Sequence, residues 1–143
     1  MATITEDYVS FETAKLLKEK GFCENTEHEI WYVIKQFSTG CHWNSCTYKV
    51  GDITREHNDD CCIPMPTIQM VMKWLRKAHN IHIAIVPCEV GLGVMDYTYI
   101  LYEVDTENFI FKNLGIQGRA NTDKMSVPKT CEAAIKYCLE NLI

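Results

Sequence analysis

Between Pro64 and Val86 the apolar residues change their period from that of a helix to that of a strand within one residue. Ile68, Val71, Met72 and Leu75 recur at i, i+3, i+4 and i+7, the spacing that puts side chains on one face of an α-helix. Met70 and Trp74 broaden that face, and Pro66 is tolerated in a first helical turn. Lys73, Arg76, Lys77 and His79 crowd the C-terminal half, where positive charge suits the helix dipole. Asn80 is a left-handed stop. Ile81, Ile83 and Ile85 then alternate as one face of a strand does. A helix that feeds a strand with no intervening loop excludes the all-α and all-β classes.

The flanking segments extend that pattern. Ser10 is placed to cap a helix over Phe11–Lys20, with Glu12 in its first turn and Phe11, Ala14 and Leu17 as its apolar face, widened by Leu16. Gly21 suits a left-handed C′ residue and Phe22 the apolar contact of a Schellman motif with Leu17. Residues 29–37 are β-branched and aromatic and predict a strand. Residues 38–63 are polar and rich in cysteine, with a short edge strand over 47–50 that pairs with 29–37. Gly91 and Gly93 predict a turn over 90–96, and the strongest strand composition covers 97–104. A short strand over 109–112 and a loop over 113–123 follow. The last helix runs from Val127 to Leu142 behind Ser126, with Cys131, Ala134, Ile135, Cys138 and Leu142 as its buried stripe. The order is α-β-(β)-α-β-β-β-α. It predicts an α+β fold: an antiparallel sheet of 3–5 strands with three helices mainly on one face. Residues 1–143 are expected to form one domain, with 38–63 a Cys-rich loop inside it.

Hydrophobic residues make up 47% of the 143 and charged residues 23%, enough apolar mass for one core. The formal charge of −5 leaves no large basic face, which argues against nucleic acid as a partner. The N-terminal stretch is acidic and lacks an apolar signal core, and no run reaches the ~18 apolar residues of a membrane span. The chain is therefore expected to be soluble and intracellular, with its eight cysteines reduced. Cys131 and Cys138 lie two helical turns apart, roughly 10 Å, too far for a mutual disulfide. They read as small buried hydrophobes.

Five features carry potential chemistry. Cys41, His42, Cys46, His57, Cys61 and Cys62 offer soft and borderline ligands of the kind that zinc takes in tetrahedral array. The spacing is permissive, because the C-x2-C form is missing and neighbouring Cys61 and Cys62 rarely both bind one ion. A thiolate activated by a histidine would make a nucleophile, but no family signature surrounds any cysteine. Gly91-Leu92-Gly93 lacks the strand–turn–helix setting of a phosphate loop and reads as a hairpin turn. The cationic run around Trp74 reads as a solvated helix face. Finally, His82 together with Tyr97, Tyr99 and Tyr102 is predicted to line an open sheet face fit for a ligand or partner.

Three segments, ITEDYVSFETAKLLKEKGF at 4–22, PTIQMVMKWLRKAHNIHIAI at 66–85 and CEAAIKYCLENLI at 131–143, resemble a group of short uncharacterised proteins of gut bacteria and of their phages and mobile elements. The likeness covers somewhat over a third of the chain. It implies a bacterial or prophage origin and a cytoplasmic location, and no particular activity, cofactor or catalytic residue. The Cys41–Cys62 pattern is not a feature of that group. The expected function is that of a non-enzymatic binding or accessory protein, acting on a host protein or small ligand and using no cofactor. The alternatives are a small zinc protein built on the Cys41–Cys62 segment and, more remotely, a cysteine-dependent enzyme. A homodimer through the sheet face or edge is compatible with the same pattern.

Overall fold

The computed structural model describes residues 6–22, 30–37, 40–47, 62–119 and 126–143, with side chains for all of these except 30–37, 40–47, Cys62 and Arg119. The fold is α+β, with three helices and antiparallel sheets among the described residues. The chain divides into two compact units, Met1–Thr67 and Ile68–Ile143.

In the first unit, α1 spans Phe11–Glu19. Ser10 caps it from an extended conformation, its Oγ accepting the Thr13 N–H at 3.4 Å. The other end closes as the sequence predicts. Lys20 is the cap residue and Gly21 is left-handed at φ 79°. The Gly21 N–H reaches the Lys18 carbonyl, and the Phe22 N–H reaches the Leu17 carbonyl at 2.9 Å. Those are the two bonds of a Schellman motif. The buried stripe is Thr13, Ala14 and Leu17, while Phe11 and Leu16 are only half-buried. Thr13 takes the inner position because its hydroxyl has a partner in Ser10 Oγ, at 3.2 Å.

Three strands complete this unit: β1 at Ile30–Phe37, β2 at Gly40–Thr47 and β3 at Cys62–Pro64. They form a sheet of order β2-β1-β3. β1 and β2 are a hairpin in register from Ile30↔Thr47 to Phe37↔Gly40. The partner of β1 thus begins at Gly40, ahead of the strand predicted over 47–50, of which residues 48–50 lie outside the described residues. A polar, cysteine-bearing run can still form a strand, because the ladder is made by backbone groups. α1 packs on β3, and Val9, Ala14, Leu17, Phe22 and Ile63 are buried.

In the second unit, α2 spans Ile68–His79 and buries Ile68, Val71 and Leu75. Met72 remains half-buried. Asn80 ends the helix at φ 56°, the left-handed stop expected of it, and its carbonyl accepts the Val104 N–H at 2.9 Å. That bond ties the helix-to-strand junction to the C-terminal end of the middle strand of the sheet formed next in the chain. β4 at Ile81–Gly91, β5 at Val94–Asp105 and β6 at Ile110–Arg119 form an antiparallel meander of order β4-β5-β6.

Leu92 and Gly93 make a two-residue turn with both φ positive, 34° and 80°, as hairpin turns of matching twist require. Glu89 holds it by accepting the Gly93 N–H at 2.9 Å. At the other end of β5, the Asp105 carboxylate accepts the Asn108 side-chain N–H at 2.6 Å and the backbone N–H groups of Asn108 and Glu107. These bonds hold Asp105 below the usual carboxylate range. β6 runs on to Arg119 where a loop is predicted after Lys112. Its ladder to β5 is interrupted between Ile100 and Tyr102, opposite the left-handed Gly115. That bulge hides the strand period from the sequence.

α3, Val127–Asn141, is capped by Ser126, whose Oγ accepts the Lys129 N–H at 3.4 Å. Its buried stripe is Thr130, Cys131, Ala134, Ile135, Cys138 and Leu139. Leu139 takes the place predicted for Leu142, which lies at the C-cap and is exposed. The helical turn that would have carried Leu142 inward is not completed. α3 packs on all three strands and on α2, and α2 packs on β4. Among the described residues no helix is long and apolar enough to cross a membrane.

Candidate functional site

The β4-β5-β6 sheet has two chemically distinct faces, set by strand alternation. On β5, Tyr99 and Leu101 are buried while Ile100 and Tyr102 are half-exposed. Across the ladder, Tyr99 stands opposite Ile85 and Leu101 opposite Ile83. This face meets α3: burial raises the Tyr99 hydroxyl above its ordinary pKa of 10, and the neighbouring Tyr137 and Cys138 add to the shift. Gly118 stands opposite Tyr99, and a methyl group there would overlap the Tyr99 ring. The missing side chain is thus what lets the ring lie flat on β6 beneath the helix.

The other face is open among the elements of this unit. His82 stands directly opposite Tyr102, Ala84 opposite Ile100, and Val86 opposite Thr98. Tyr102 stacks on Phe111 from β6, with ring centroids 5.1 Å apart and planes inclined by 25°. Such a diagonal aromatic pair adds about 0.5–1 kcal/mol to the sheet. Partial burial lowers the His82 pKa from 6.5, and the nearby Arg76 charge lowers it further. His82 is accordingly neutral at neutral pH. Among the described residues, the charged ones at strand positions of this face are Asp96, opposite Cys88, and Arg119, opposite Thr98, both toward the β4–β5 turn.

The predicted surface of His82, Tyr97, Tyr99 and Tyr102 therefore divides. His82 and Tyr102 share the open face, whereas Tyr97 and Tyr99 have the opposite parity and Tyr99 is buried under α3. Odd and even positions of one strand cannot share a face, so the four could never have met. Phe111, which does join His82 and Tyr102, was missed. Its place depends on the count of residues through the β5–β6 turn, where Asp105 pairs with Ile110.

The remaining candidates are placed as follows. Cys131 and Cys138 are buried in α3, and burial pushes the Cys138 thiol up to about 12, so it is protonated and poor as a nucleophile. Lys73, Arg76 and Lys77 are exposed on α2, and Trp74 meets the His79 ring edge-on at 4.7 Å. Gly91-Leu92-Gly93 joins two strands, as a hairpin turn does. Of the zinc set, Cys41, His42 and Cys46 lie on β2 and Cys62 on β3, with β1 between the two strands. His57 and Cys61 lie outside the described residues. Among the described residues no three His, Cys, Asp or Glu side chains are grouped to hold a metal ion.

Fold and site together define an α+β protein with a helix-backed sheet and one neutral, aromatic face. No family model, curated protein or solved structure matches the chain.

Proposed function

We propose that the protein acts by binding another polypeptide through the open face of the β4-β5-β6 sheet, rather than by catalysis. One observation carries this reading. The sheet places its opposed charges Glu103 and Lys112 at positions of the helix-backed parity, whereas the open face carries Ala84, Ile100 and Gln117 across its middle and His82, Tyr102 and Asn113 on the next rung, with no Asp, Glu, Lys or Arg among them. A one-sided sheet ordinarily does the reverse, with charge toward water and apolar groups toward the helices. Interface centres are depleted of charge and enriched in aromatic residues. The surface is a strand ladder rather than a concavity, which suits a protein better than a small ligand. A centre without cations does not suit nucleic acid. An accessory role also accords with the resemblance to short proteins of phages and mobile elements.

The test is a photo-cross-linking side chain placed at Tyr102, and separately at Lys77 on the exposed face of α2, in bacterial cells expressing the chain. The expected result is a polypeptide adduct at Tyr102 that is absent at Lys77 and is lost when Ile100→Lys is added. No adduct at Tyr102, or a reproducible turnover lost on changing one Cys or His, would sink the reading.

A further inference from the structure

We propose that the open face is occupied by a second copy of this chain, in a two-fold dimer whose β4-β5-β6 sheets stack face to face. This rests on the reading of that face as a binding surface and names its partner. Three observations lead to it.

The first is size. The strands hold 11, 12 and 10 residues. At ~3.4 Å per residue and ~4.8 Å between strands, one face spans on the order of 35 by 14 Å, or about 500 Å². Two such faces together cover about 1,000 Å², the lower bound for a specific interface. Sheets of this kind pack face to face at ~10 Å with interdigitated side chains.

The second is charge. Each copy carries a formal −5, so two copies repel unless they meet on a neutral patch. The open face is such a patch. Ile100 and Tyr102 lie on the middle strand, Ala84 and His82 beside them; the two charged strand positions stand at one end, and the Arg76 charge lies near His82 at the other. A surface whose middle carries no charged residue is also compatible with itself, which an isologous contact requires.

The third is the state of the sheet edges. Pro87 sits within β4 and has no N–H, so the outer edge of that strand lacks a donor midway along its length. On β6 the irregular pairing and the left-handed Gly115 bend the outer edge near its middle. Both features obstruct addition of a further strand. Association through this sheet is thereby directed to its face.

The decisive measurement is the mass of the purified full chain by sedimentation velocity and native mass spectrometry over micromolar concentrations. The wild type is expected at twice the chain mass, with a melting temperature that rises with concentration, because self-association stabilises by mass action. Ile100→Lys puts an unpaired charge at the centre of the contact and is expected to weaken association by about 100-fold or more, giving a monomer with unchanged circular dichroism. Ala84→Lys is the second variant should Ile100→Lys fail to fold. A photo-cross-linker at Tyr102 in the otherwise unmodified protein is the measurement that needs neither, and is expected to join two copies. A monomeric wild type at every concentration, a dimer that survives both lysine variants, or no copy-to-copy cross-link at Tyr102 overturns the proposal. A monomer that nevertheless cross-links through Tyr102 to a different polypeptide in cells overturns self-association alone and leaves the binding reading standing. A Tyr102 that cross-links to nothing removes both.

Discussion

The two faces of the β4-β5-β6 sheet are built from the same three strands, yet only one is a core. On the helix-backed face, Leu101 is 0% exposed and Tyr99 6%. On the other, Ile100 and Tyr102 are half-exposed, Val86 is 37% exposed and Phe111 71%. An aromatic or β-branched residue in a strand thus reports that a face is to be covered, without reporting by what. The contrast separates residues that hold the fold from residues available to a partner, and each prediction below tests that division.

The largest effect is expected from cutting matched side chains on the two faces. Leu101→Ala should cost about 2–5 kcal/mol, the range for a fully buried leucine, because it leaves a cavity in the core. Ile100→Ala, one residue along, should cost about 1 kcal/mol or less under dilute, monomeric conditions. Urea unfolding of both variants decides it, and equal losses would show that the two faces are equally buried in the isolated chain. Next in size is Gly118→Ala. The added methyl meets the Tyr99 ring, which is buried and has nowhere to go, so a loss of about 1–3 kcal/mol is expected by the same measurement. Restoration of stability in the Gly118→Ala, Tyr99→Leu double variant would assign the loss to that contact.

The smallest effect concerns pH and belongs to the open face. The folded-state pKa of His82 lies below 6.5, so the folded chain takes up this proton less readily than the unfolded chain. Stability is therefore full above pH 6.5 and falls as the pH drops below it toward the folded-state value. The melting temperature of the wild type should decline over that window more than that of His82→Gln. Identical pH profiles for the two would show that His82 is as well solvated in the fold as out of it.

Much of the local structure was legible beforehand because it rests on near neighbours. Ser10 and Ser126 are caps, Gly21 and Phe22 close α1, and Asn80 stops α2, each through contacts within a few residues. The composition of residues 97–104 likewise announces a strand that is realised as part of β5. Less legible were the extents of β2 and β6. β2 is polar and owes its place to the ladder with β1, and β6 is broken in period by its bulge. Of the candidate surface, His82 and Tyr102 were identified together, but Tyr97 and Tyr99 were joined to them by proximity in sequence, against strand parity.

The sequence by itself determined the α+β class, the helix-to-strand junction at Asn80, the helix caps and the Leu92–Gly93 hairpin turn. These depend on backbone conformation and on bonds to adjacent turns, which the residues carry with them. Only the tertiary structure decided which face of the C-terminal sheet is covered and which is left open. YTYILYEV is apolar or aromatic on both parities, so no local rule distinguishes them. The choice is made by α3, which comes last in this unit and can cover one side only. Its stripe of Cys131, Ala134, Ile135, Cys138 and Leu139 makes Tyr99 and Leu101 core and leaves Tyr102, His82 and Phe111 as surface.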